Sequence, residues 1–171
     1  MAYLNVVDYR WIQQTRKTLL DACEKLSADE WTAQNGYGLQ SVRDTLVHMA
    51  DCYHAWLGSF LLLKTKSPIT SKEARQKMTI HDCIERFNQA DIYVEEVFRL
   101  LGDQLDQPIE RTIPWREGGD PISMTPRKLL THTMTHEFHH KGQIVVMLRQ
   151  LGHVPPNTDV LGTKDSTETE T

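Results

Sequence analysis

Residues 41–60 read SVRDTLVHMADCYHAWLGSF, and the apolar members Val42, Leu46, Met49, Tyr53, Trp56 and Phe60 follow alternating steps of four and three. An α-helix turns roughly 100° per residue, so these steps gather six side chains into one stripe, the seam of a helix packed nearly parallel to its neighbours. Ser41 before the stripe and Asp44 three residues later resemble a capping box, in which backbone N–H groups left unpaired by the first turn find side-chain acceptors. The stretch predicts a helix that starts after Ser41 and ends before Pro68.

The same rhythm recurs on both sides. Thr79 with Asp82 starts a second seam through Ile80, Ile84, Phe87, Val94, Phe98 and Leu101, which stops at Gly102. Thr125-Pro126 opens a further helix, because proline at the first helical position gives up an N–H that would have no partner there. That helix runs to Leu151, where Gly152 and then Pro155-Pro156 end it. Upstream, Leu4, Val7, Trp11, Leu19, Ala22 and Leu26 mark the first 26 residues or so as an amphipathic helix. Ser27 with Glu30 caps a short turn, which Asn35-Gly36-Tyr37-Gly38 breaks.

Asp103 to Ser123 carries Pro108, Pro114, Gly118, Gly119 and Pro121, so it reads as a long crossover loop with at most a short extended piece around Thr112-Ile113-Pro114. With four long helices and no convincing strand pair, the expected fold is all-α, an antiparallel four-helix bundle with long crossover connections. Residues 1–160 form one domain, and 161–171, nearly without apolar side chains, form a disordered tail.

Composition narrows the function. Apolar residues make up 39% and charged residues 25% of 171, enough to bury one core without cross-links. The net charge of −4, with Lys and Arg scattered among Asp and Glu, argues against a nucleic-acid partner. No stretch approaches the roughly 20 apolar residues that a bilayer span needs, and Met1 to Arg10 lacks a signal-peptide pattern, so the expected location is cytoplasmic. Cys23, Cys52 and Cys83, odd in number and widely spaced, suit reduced buried thiols.

The chemistry concentrates in the last helix, where His132, His136, His139 and His140 fall within nine residues. Residues four apart are offset by about 40° and 6 Å, so His136 and His140 stack on one face and can share an ion. Such pairs also occur without metal, as exposed polar faces or hydrogen-bonded core residues. A first-row metal site usually has at least a third protein ligand, and His48 is the best candidate. It sits one position off the stripe, with the small residues Thr45, Cys52, Ala55 and Ser59 on its line.

Three imidazoles leave a coordination position open for a divalent ion's chemistry, with zinc or nickel foremost among the metals imidazole suits. His54, His81 and His153 are read as non-ligands, His139 as a pocket wall, and His132 is left open. Gln143 returns to the face of His136, for a helix contact or to orient a ligand. Asp91, inside the stripe between Phe87 and Val94, is expected to accept a hydrogen bond from a polar core group, conceivably an imidazole.

The segment Thr135 to Gln143, followed by Leu148-Arg149-Gln150-Leu151-Gly152 and Pro155-Pro156-Asn157-Thr158-Asp159, resembles the last helix of the DinB/YfiT-like family. Ser41 to Met49 with Trp56-Leu57 resembles its second helix, and Trp11, Leu26-Ser27 and Trp31 its opening. The likeness covers roughly residues 3–159 and departs at Lys141, where the family commonly has arginine. It implies a four-helix bundle whose metal is held by His48, His136 and His140, and often a homodimer. It also implies thiol-dependent chemistry on a small-molecule substrate, foremost an S-transferase joining a low-molecular-weight thiol to an electrophile. The alternatives are a metal-dependent hydrolase and a non-enzymatic, stress-related metal-binding dimer.

Overall fold

The computed structural model describes residues 5–36 and 38–165. Leu4 of the expected first helix, Tyr37 of the expected break and residues 166–171 of the expected tail lie outside them. The regular elements of the described residues are helices apart from one small hairpin, the all-α class read from the stripes. In chain order they form α1 (Val6–Cys23), α2 (Ala28–Thr32), α3 (Val42–Tyr53), α4 (Lys72–Lys77), α5 (Ile80–Leu101), β1 (Ile109–Arg111), β2 (Ile122–Met124) and α6 (Pro126–Gln150). Helix α3 packs on both α5 and α6, and α1 on α5. None of the described helices is long and apolar enough to cross a membrane.

Local chemistry sets most boundaries. Ser27 with Glu30 and Thr79 with Asp82 each close both halves of a capping box. Thr125 Oγ1 accepts from the Lys128 N–H at 3.2 Å ahead of Pro126, and Gly152 ends α6 at φ +87°. Ser41 makes only half of its expected box. Its hydroxyl accepts from the Asp44 N–H at 3.1 Å, while its own N–H donates to Leu39 O and the Asp44 carboxylate turns to Arg43. Helix α1 stops at Cys23, three residues short of the expected end, and Leu26 packs beneath the turn that follows.

Two elements depart from the reading of the sequence. The connection after α5 is not strandless, since β1 pairs antiparallel with β2, Glu110 opposite Ser123. Each strand has only three residues between prolines and glycines, too short for an alternating pattern to stand out. The helix begun at Val42 also changes hydrogen-bond pattern, becoming a π-helix over His54–Leu61. Here Gly58 lies so close to α5 that a Cβ would fall 2.5 Å from a ring atom of Tyr93. A wider turn keeps apolar residues facing inward, so the stripe gives no warning of it. In the expected tail, Val160–Gly162 makes a 3₁₀ turn and the Lys164 N–H donates to Gln14 Oε1 at 2.9 Å.

Among the described residues the core forms two apolar clusters. One gathers Tyr9, Tyr53, Phe60, Val94 and Leu130, and the other Leu19, Leu46, Met49, Phe87, Ile144 and Met147. In chain order Arg16, Asp91 and Glu137 fall between the members of the two clusters on α1, α5 and α6, and they meet in a buried charged layer. Glu137, fully buried, accepts from Arg16 Nη2 at 2.8 Å, Tyr53 Oη at 2.7 Å and Lys141 Nζ at 2.8 Å. Arg16 Nη1 and Tyr9 Oη each reach Asp91 at 2.5 Å, and Lys141 Nζ also donates to Thr15. Two cations thus face two anions. Burial alone would raise the Glu137 pKa, but Arg16 and Lys141 hold it below the usual carboxylate value.

Removing one partner from such a layer strands the opposite charge in the core. Glu137→Gln is expected to lower unfolding stability by about 3–5 kcal/mol in denaturant titration, the range for broken buried ion pairs. The surface gives a separate pH signature. Hydrogen bonds from the Ser27 backbone, then from His153 and the Ser27 side chain, pull the Glu30 pKa from 4.5 to about 2. A folded-state pKa below the unfolded one stabilises above pH 4.5 and loses that stabilisation as pH falls towards 2. Melting temperatures from pH 5 to pH 3 should decline less steeply for Glu30→Gln than for the natural chain.

Candidate metal centre

The seam of α3 puts His48 opposite α6, where the four-residue repeat stacks His136 and His140. His136 Nε2 lies 3.1 Å from His48 Nε2 and 3.3 Å from His140 Nε2, and the ligand atoms of all three fall within 4.8 Å of one another. An ion bound by imidazoles at about 2.0–2.1 Å sets neighbouring nitrogens roughly 2.8–3.4 Å apart, the lower end for octahedral and the upper for tetrahedral geometry. Both Nε2 separations fit, so the residues form a group able to hold a metal ion. His140 is buried, and His48 and His136 are half-buried.

Burial, before any other cause, favours the neutral, ligating form of each ring. Burial first, then the neighbouring His140, His48, His132 and His139, pushes the His136 pKa down to about 3. Burial lowers His140, and burial with the Arg75 charge lowers His48 against the pull of Asp51. Gln143 Oε1 lies 2.7 Å from His140 Nδ1. An amide oxygen only accepts, so Nδ1 carries the proton and Nε2 is left with its lone pair towards the other two rings. Gln143 Nε2 lies 3.3 Å from His139 Nε2, which places His139 behind the group. His136 Nδ1 is buried without a hydrogen-bond partner.

The remaining residues sort by geometry. His54 Nε2 donates to Arg86 O at 2.9 Å, His153 pairs with Glu30 at 2.9 Å, and His81 is exposed. None of the three joins the group. His132 stacks one turn above His136, 5.4 Å between ring centroids, but supplies no atom to the group either. Asp91 does accept from polar core groups, but they are Tyr9 and Arg16, not an imidazole. Burial, then the Glu137 and Asp51 charges, raises the Cys52 thiol to about 12, so this sulfur stays protonated near neutral pH.

A cavity of about 280 Å³ opens beside the group, lined by His48, His136, His132, Cys52, Trp56 and Trp115 among others. Trp115 meets Trp56 edge to face at 5.3 Å and Trp56 meets His132 at 6.1 Å. Only His48 and His136 of the three ligand candidates reach this space, while His140 sits behind them. Sequence reasoning missed the loop residue Trp115 and the Arg16–Glu137 layer. A charged Arg16 on the inward line of α1 was the available signal for the layer; Trp115, in an aperiodic connection, offered none.

Two proteins of Bacillus subtilis (strain 168) are similar, both named only as uncharacterized. YizA is 24% identical over 155 residues, 91% of this chain and 91% of its own length. YjoA is 24% identical over 138 residues, 81% of this chain and 84% of its own. The DinB family model matches residues 1–171, the whole sequence, and the chain therefore belongs to the DinB family.

Proposed function

We propose that this chain is a metal-dependent enzyme in which His48, His136 and His140 hold one divalent ion, zinc or nickel, and that it transfers a small thiol onto an electrophilic small molecule. The observation that carries this reading is the convergence of three Nε2 atoms beside a cavity that reaches two of the three rings. Closed structural sites generally use four protein ligands, whereas three leave a position free. When bound there, the ion supplies the positive charge that lets a small thiol ionise near neutral pH, which makes a separate general base unnecessary.

The chain's own groups do the rest. Gln143 fixes the His140 tautomer, and the Trp56–Trp115 pair offers an apolar wall for the body of a ligand. Cys52 stays protonated and so does not compete with an incoming thiol. In the overall reaction a sulfur–carbon bond forms, the leaving group departs with the electron pair, and the thiol proton passes to solvent. The three buried thiols support a reducing, cytoplasmic setting. Homodimer formation belongs to the same proposal and is supported by the family resemblance alone.

Metal content of tag-free protein tests the reading. About one equivalent per chain is expected in the natural sequence and at least tenfold less in His136→Ala, and equal content in both would overturn the ligand set. With metal confirmed, a panel of small thiols against alkyl and aryl electrophiles should show thiol-dependent turnover. Silence across that panel would sink the transferase reading and leave the metal site standing. Gln143→Leu, which frees His140 Nδ1, is expected to weaken metal affinity about 10–100-fold in competition with a chelating dye while the far-ultraviolet spectrum stays unchanged.

A further inference from the structure

Two side chains of the cavity take no part in the scheme above. Arg75 on α4 and Arg116 in the loop between β1 and β2 line the same space as His48 and His136. Among the described residues neither guanidinium is paired with a carboxylate. The carboxylate that does line the cavity, Asp51, is already held. Arg86 Nη2 lies 2.5 Å from Asp51 Oδ1, and the Thr70 N–H and hydroxyl donate to the same carboxylate at 2.9 and 2.7 Å. Two cationic forks therefore stand at a cavity of a chain whose net charge is −4, and no carboxylate among the described residues forms an ion pair with either.

The backbone that carries each arginine is held in place. Arg43 Nη1 donates to Gln76 O at 3.1 Å, which ties α4 to the start of α3. Thr70, clamped by Asp51, fixes the segment that leads into α4. On the other side, the Trp115 ring rests on Trp56, and the Arg116 N–H donates to Ile113 O at 3.1 Å. Guanidinium forks match the planar oxygens of carboxylates and phosphates, and indole faces take an apolar body. At about 280 Å³ the space suits a small ligand.

We infer that the cavity selects small molecules carrying a carboxylate or phosphate group, held by Arg75 and Arg116, with an apolar or aromatic body against Trp56 and Trp115. This deepens the metal-centred reading of the same cavity and rests on it. Neutral and cationic analogues of the same shape are rejected, because nothing else in the lining replaces the lost charge contact. The preference weakens as salt screens Arg75, which is half-buried, and Arg116, which is exposed.

The test uses the full-length, zinc-loaded protein and three probes of similar shape: benzoate, phenyl phosphate and the neutral benzyl alcohol. Binding is followed by tryptophan fluorescence and by calorimetry. In the natural chain at least one of the two anions should bind about tenfold or more tightly than the alcohol. Arg75→Gln/Arg116→Gln should erase that advantage, whereas His136→Ala should keep it. The inference is overturned if neither anion outbinds the alcohol, or if the double arginine variant retains the preference. A preference lost in His136→Ala but kept in the double variant would mean that the anion ligates the ion directly, which also overturns the arginine site. The metal reading is judged apart from all of these, by the zinc content of His136→Ala.

Discussion

The contact on which the rest of the structure leans is the pairing of Arg16 with Glu137 in the middle of the core. Apolar packing alone tolerates helices that slide or rotate by fractions of a turn, since many hydrophobic arrangements have nearly equal energy. A fully buried carboxylate does not. It must meet the guanidinium from α1, the phenol from α3 and the ammonium from its own helix at once, or leave a charge unpaired in a low-dielectric interior. The charged layer therefore sets the rotation of α6 relative to α1 and α3, whatever it adds to or takes from net stability.

That rotation matters because Glu137 and His136 are consecutive residues. About 100° separates them on the helix, so an α6 turned to send Glu137 into the core necessarily sends His136 towards α3 and His48. The histidine group is thus positioned by a contact in which none of its members takes part. Gln143 refines it from the other side through His140. The π-helix over His54–Leu61 completes the arrangement beyond His48, since it carries Trp56 to the cavity while Gly58 closes against Tyr93. Irregular turns of this kind are frequent at functional sites.

What the sequence disclosed and what it concealed follow from range. Caps at Ser27, Thr79 and Thr125 involve residues three apart, and the seams of α3 and α5 repeat every turn, so both were legible as text. The four-residue stack of His136 and His140 was legible for the same reason, and His48 could be picked because its line on α3 is otherwise small. The hairpin at Ile109–Arg111 escaped because three residues cannot display a period, and the π-helix because its apolar pattern imitates an α-helix. Arg16 and Glu137 lie 121 residues apart, and nothing local predicts that they meet. The inward position of Arg16 could have raised the question that Asp91 did raise, with Asp91's answer then coming from Tyr9 and Arg16.

The cysteines carry a last implication. Cys23, Cys52 and Cys83 are all buried, and burial raises each thiol to about 12. At neutral pH only on the order of one in 10⁵ of each is ionised. Cys52 lines the cavity beside the histidine group, in reach of anything that enters it. As neutral thiols these side chains are poor nucleophiles, so an electrophile that entered the cavity would meet an unreactive wall.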